Sequence, residues 1–303
     1  MFRNNRGQVR SGWLIMLTMF LFLICSIVFA FPGTVWFNVI NEEAIYMSNS
    51  EYMRALSKLP WVELAMNGGA VVGGIIATIL AWKFINKQNV KDLGISINSV
   101  NMKDFVVGIG LGVLSMTLIF TILVMSGSVE LEQSLLEPVF SVQSVSFLIL
   151  YILVGFSEEM LGRGYIMKTM LDRGNSKLVA LITSSIIFSL LHSMNPNVSI
   201  LGLMNIVFVG ILFAYMYLAT NSLWMPIGYH ITWNYFQGNV FGFPVSGIQS
   251  QSIYEVSLIE GRDLLTGGTF GPEAGLLATV VIMLGIVFTK IYSHRREEQS
   301  FDM

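Results

Sequence analysis

The sequence predicts an all-α fold, a polytopic transmembrane helical bundle of about eight spans with both termini cytoplasmic. Three observations predict it. The chain is 54% hydrophobic and only 12% charged, about half the charged share of an ordinary soluble domain. Its apolar residues fall into runs of about twenty, the length a helix needs to cross a hydrocarbon core of roughly 30 Å. Its lysines and arginines are distributed unevenly between the segments that join those runs.

The first run, Trp13 to Phe31, follows Arg3, Arg6 and Arg10. It is too long for the apolar region of a secretory signal, and its exit, Ala30-Phe31-Pro32-Gly33, lacks a small-residue cleavage site. Cys25 follows Ile24 rather than a small residue, which disfavours a lipoprotein signal. As the lone cysteine it can form neither an internal disulfide nor a cysteine metal cluster, so it is read as lipid-facing or as packing. Further spans are expected at 62–82, 105–125, 146–170, 178–194, 198–219, 223–237 and 275–292. Gly68-Gly69 and Gly73-Gly74 must still be helical inside lipid, and there they let helices approach closely.

Alternating crossings place Arg3, Arg6, Arg10, Lys83, Lys87, Lys91, Lys103, Lys168, Arg173, Lys177, Lys290, Arg295 and Arg296 on one side. The other side receives Arg54, Lys58 and Arg262, and Arg163 lies within the fourth span. The basic side is the cytoplasmic one. The chain then divides into a cytoplasmic tail 1–12, N-terminal membrane helices 13–125, a membrane domain 126–292 and a cytoplasmic tail 293–303. Three outer segments are long: 33–61, 126–145 and 238–274, the last rich in Gly, Ser and Gln and partly re-entrant. A formal charge of −2 with no basic stripe or acidic block argues against nucleic acid. The expected partners are the membrane and a peptide or membrane-protein substrate.

Ionisable side chains deep in a bilayer cost at least about 2.5–3.5 kcal/mol each and usually face an interior cavity. Here they are Glu158, Glu159 and Arg163 in the fourth span, His192 near the end of the fifth, and His230 with Asn234 in the seventh. Glu63 lies close enough to a span end to snorkel. Positions four apart share a helix face. Glu159 and Arg163 can therefore pair, which leaves Glu158 turned toward another partner. His230 and Asn234 can together donate to a developing oxyanion, and Phe188 sits one turn before His192. Taken singly, a buried Glu–Arg pair is as readily interhelical glue, and a lone His or Asn is more often a satisfied bundle hydrogen bond. Together on three helices they are hard to explain as stabilisation.

The residues form three ordered motifs: Glu158-Glu159-Met160-Leu161-Gly162-Arg163, Phe188-Ser189-Leu190-Leu191-His192, and His230-Ile231-Thr232-Trp233-Asn234. In order these are EExxxR, FxxxH and HxxxN, and the set resembles the CPBP family of CAAX proteases and bacteriocin-processing enzymes, also called the Abi family. The resemblance covers roughly 145–292. Gly267-Gly268-Thr269-Phe270-Gly271-Pro272-Glu273 looks like bacterial members, which implies a bacterial cell membrane, whereas residues 1–100 are matched only in hydrophobicity. The resemblance implies an intramembrane endopeptidase in which Glu158 activates water, His192 holds that water, His230 and Asn234 stabilise the oxyanion, and Glu159 with Arg163 orients the site. The family is described as metalloproteases, and Glu158, His192 and His230 could hold zinc with a fourth position left for water. A glutamate-and-water mechanism needs no metal and is the favoured expectation. The alternatives are a non-proteolytic bacteriocin-immunity or scaffold protein, and a proton-coupled transporter, for which the chain shows no inverted repeat.

Overall fold

Inside hydrocarbon every backbone N–H and C=O must find a partner in the protein, and a helix supplies one from its own segment. The computed structural model, which describes residues 2–301, is built accordingly. Its principal helices are α1 (Ser11–Ile40), α2 (Asn49–Leu56), α3 (Pro60–Ile85), α4 (Ser99–Met125), α5 (Val142–Asp172), α6 (Lys177–Leu191), α7 (Ile200–Thr220), α8 (Trp224–Tyr235) and α9 (Leu276–Phe301). All eight expected apolar runs are helical. Six of them, α1, α3, α4, α5, α7 and α9, are long and apolar enough to cross a membrane. The other two are shorter. α6 has 15 residues, about 22 Å at 1.5 Å per residue, and α8 has 12 before wider turns carry it on through Phe236–Val240. The last two residues of the expected tail 293–303, and Met1 of the tail 1–12, lie outside the described residues.

The first span does not end at Pro32. α1 runs through it to Ile40, although proline lacks the N–H that would bond one turn back. Packing overrides the local signal: a β-carbon added at Gly33 would lie 2.4 Å from the Met66 backbone nitrogen, so α1 is pressed against α3 just where the proline sits. The rest of 33–61 also holds a helix. In α2, Ser48 and Glu51 cap the N-terminus reciprocally.

Glycine seams set the helix spacing, as the paired glycines suggested. An added β-carbon would meet the Phe29 carbonyl oxygen at 2.3 Å from Gly69, and the Cys25 carbonyl oxygen at 2.4 Å from Gly73. Between α4 and α8 the approach is closer still, 2.1 Å from Gly108 to the Met225 carbonyl oxygen and 2.1 Å from Gly112 to Thr232 Oγ1. Apart from Thr232 Oγ1, the neighbours are backbone atoms of a packed helix and cannot swing aside. Gly108→Val should therefore lower stability by about 1–3 kcal/mol or more by overpacking and displace α8. Gly110, on the same helix with open space around it, is the control: Gly110→Val should unfold in detergent at nearly the wild-type temperature.

Two features position the site. On the side of α5 that follows Arg163, Trp82, Leu93, Leu161, Tyr165, Met167, Leu223 and Ile227 pack into one buried cluster. At the opposite end, the segments 126–141 and 241–275 are joined by an antiparallel pair, β1 (Val129–Leu131) with β2 (Val256–Leu258), and Phe241 stacks on Phe120 at 4.1 Å.

Candidate active site

α5 is helical through Glu159 and then widens into π-helical turns over Met160–Met167 before resuming at Lys168. Such wide turns in a helix occur frequently at functional sites. The expected i,i+4 contact forms across the junction, with Arg163 donating to Glu159 Oε1 at 2.8 Å and both side chains wholly buried. The guanidinium also donates to the Gly210 carbonyl at 3.1 Å and lies over the rings of Phe188 and Phe213 at 4.5 and 5.2 Å. Phe188, from the second motif, thus serves the first as well.

Glu159 Oε1 has a second partner that helical spacing does not reveal: His230 Nδ1 at 3.1 Å. Since the carboxylate accepts, Nδ1 carries the proton. The ring stacks on Phe213 at 5.3 Å, and its other nitrogen, Nε2, faces Glu158 Oε2 at 3.8 Å. His192 is held in the same sense. It lies one residue beyond α6, where Asn195-Pro196 breaks the helix, and its Nδ1 is 2.8 Å from the Phe188 carbonyl oxygen. That oxygen can only accept, so Nδ1 donates and Nε2 is left facing Glu158 Oε2, again at 3.8 Å. One carboxylate oxygen of Glu158 is therefore flanked by two imidazole nitrogens. It has no hydrogen-bond partner in the protein, although the side chain keeps 32% of its exposure. Separations of this kind are bridged by a small polar species rather than by direct contact.

That exposure faces a cavity of about 310 Å³. Glu158, His192, His230 and Asn234 line it beside apolar residues including Phe147, Leu150, Val154, Ile206 and Val209. Glu159 and Arg163 lie behind it. Sequence reasoning missed two further carboxyls in its wall. Glu63 does not snorkel. It is buried at the start of α3 and accepts from Gln143 at 3.2 Å, because α3 presents this position to α5 rather than to lipid. Glu273, noted only within a glycine-rich segment, reaches the cavity from the turn before α9 and accepts from the Ser246 backbone N–H. Asn205 anchors that turn by donating to the carbonyls of Glu273 and Gly275 at 2.9 Å each.

Burial pushes the Glu273 carboxyl above its ordinary pKa, against the opposing pull of the Ser246 hydrogen bond and nearby His192. The folded protein then holds this proton more tightly than the unfolded chain does. The resulting stability is fully present below the unfolded value of about 4.3 and is lost as pH rises through the folded one. Glu273→Gln should flatten this dependence, which thermal unfolding of both proteins between pH 4 and pH 8 would read.

Zinc bonds of about 2.0–2.1 Å in a tetrahedron put neighbouring ligand atoms about 3.3 Å apart. The two 3.8 Å separations around Glu158 are wider, and among the described residues no group of three or more His, Cys, Asp and Glu side chains is placed to hold a metal ion. The trio as placed does not fit zinc.

Residues 140–236, which carry all seven motif residues, match the family model for type II CAAX prenyl endopeptidase, Rce1-like. The match covers about a third of the chain and is a likeness to the CAAX protease family. No curated protein matches it. The matched segment runs from just before α5 through α8, so α1 to α4, Glu63 and Glu273 lie outside it. Several apolar helices around a segment similar to a membrane-protease family point to a multi-pass membrane protein.

Proposed function

We propose that the protein is an intramembrane endopeptidase of a bacterial cell membrane that hydrolyses a peptide bond in a membrane-associated peptide or protein. The observation that carries this reading is a buried Glu158 carboxylate oxygen, without a hydrogen-bond partner and set between two imidazole nitrogens, on a side chain that lines the cavity. Glu158 takes a proton from water as the water oxygen attacks the scissile carbonyl carbon. His192 Nε2 accepts the water's other proton in a hydrogen bond and fixes its orientation. His230, lying between Glu158 and Glu159 and protonated on both nitrogens, joins Asn234 in donating to the oxyanion. The proton on Glu158 then passes to the departing amine nitrogen as the C–N bond breaks. Glu159 and Arg163 hold the His230 ring and act through it.

The steps above use no metal, a reading that the 3.8 Å spacings around Glu158 favour. Cleavage that survives exhaustive chelation is the expected result, and loss that zinc restores would overturn this part of the reading. Prenylated tails are the substrates that the family's name describes. The Gly-Pro-Glu segment, which looks bacterial, favours instead maturation of a peptide or control of a surface protein. Comparing membranes and medium from cells carrying wild-type or Glu158→Ala protein tests the whole proposal. A peptide terminus that vanishes in the variant is expected, and identical termini in both would refute proteolysis. His192→Ala and His230→Ala should behave like Glu158→Ala, whereas a scaffold or immunity role would leave their phenotypes intact at unchanged protein levels.

A further inference from the structure

The cavity wall is uneven along the membrane normal. It draws on Glu63 at the start of α3, Val154 and Glu158 within α5, His192 after the end of α6, Asn234 near the end of α8, and Ser246 from the segment between α8 and α9. Glu63, His192, Asn234 and Ser246 lie in or near the segments 33–61, 192–199 and 241–275, and α5 runs into the cavity wall from 126–141. At the opposite ends the space is filled. Beyond Glu159 and Arg163, the side chains of Trp82, Leu93, Tyr165, Met167 and Leu223 are wholly buried in one cluster. The cavity therefore opens away from that cluster. Charge identifies the two sides, because Lys83, Lys87, Lys91, Lys168, Arg173 and Lys177 all flank the filled ends, where the cytoplasm is expected.

We propose that the cavity is reached from the extracytoplasmic side and that its substrate is an internal, apolar segment of an exported or outer-leaflet chain rather than a tail offered from the cytoplasm. The wall chemistry agrees. Among the described residues lining the cavity there is no lysine or arginine, and Glu63, Glu158 and Glu273 are all carboxyls. No lysine or arginine is there to pair with a terminal carboxylate, while Phe147, Leu150 and Ile206 offer an apolar surface to side chains on either side of a scissile bond. The identity of the substrate rests on the protease reading; the direction of access does not.

Cysteine labelling separates the two. Cys25 is the chain's single cysteine, so Cys25→Ser provides a clean background for Val154→Cys inside the cavity, Ile248→Cys at its wall in the outer segment, and Lys91→Cys on the filled side. Each is treated in intact cells, and again after permeabilisation, with a membrane-impermeant methanethiosulfonate bearing a quaternary ammonium. Val154→Cys and Ile248→Cys should react in intact cells, and Lys91→Cys only after permeabilisation. Val154→Cys reacting from the cytoplasmic face alone, or from neither face, overturns the proposal, as does Lys91→Cys reacting in intact cells. The termini from the Glu158→Ala comparison test the substrate: one within an exported segment supports the inference, and one within a cytoplasmic tail refutes it. If no terminus changes, the protease reading fails while the labelling result stands.

Discussion

Replacing Glu158 by glutamine should slow peptide cleavage by about 10²–10⁴-fold, the contribution of a positioned general base, while changing stability by less than about 0.5 kcal/mol. The two halves of the prediction have one cause. Glu158 Oε2 has no hydrogen-bond partner in the protein and its side chain faces the cavity, so the fold asks nothing of its charge. Glutamine keeps the shape but cannot take a proton from water. Because the change touches the attack on the carbonyl rather than the binding of the chain, kcat should fall with little change in KM. Single-turnover cleavage of the substrate found in the membrane comparison, alongside thermal unfolding in detergent, would check both halves. A variant cutting within about threefold of wild type would remove Glu158 from the base role.

The neighbouring residue should respond in the opposite way. Glu159→Gln leaves the Arg163 guanidinium without its counter-charge at a position with no solvent exposure, and breaking a buried pair costs about 3–5 kcal/mol. Arg163→Met leaves the carboxylate stranded and should cost a similar amount. The double variant removes both charges, so its loss should be at least about 1.5 kcal/mol smaller than the sum of the single losses. Denaturant titration of all four proteins in one detergent gives the coupling. Additive losses would mean that the 2.8 Å contact does not hold the two residues together. Cleavage should be lost in both single variants, since the carboxylate that orients His230 through Nδ1 is either altered or left with unbalanced charge.

What the sequence made legible was local in character. Runs of apolar residues identified the helices, and the spacing of Glu159 and Arg163 identified a pair because both lie on one element. Contacts between elements were not legible. The bond from His230 to Glu159 joins positions 71 apart, and that from Gln143 to Glu63 joins positions 80 apart. A hydropathy run gives the depth of a residue but not which way round the helix it points, so Glu63 was read as snorkelling when its face is turned to α5. Pro32 misled for a related reason: its local tendency to end a helix was outweighed by the close approach of Gly33 to α3. The wide turns after Glu159 and the pairing of 129–131 with 256–258 likewise depend on partners distant in the chain.

The buried cluster beyond Arg163 has an electrical consequence. A bilayer holding a voltage drops most of it across whatever stays dry, and here the dry layer is the side-chain plug of Trp82, Leu93, Tyr165, Met167 and Leu223. A charge is displaced against that field only if it crosses the plug. With the cavity open as proposed, Glu158, His192 and His230 lie on its side of the plug, at nearly the potential of the compartment that it faces. Proton movements among them consequently do almost no work against the membrane voltage. Water can be admitted deep into the bundle for hydrolysis without giving ions a path through it.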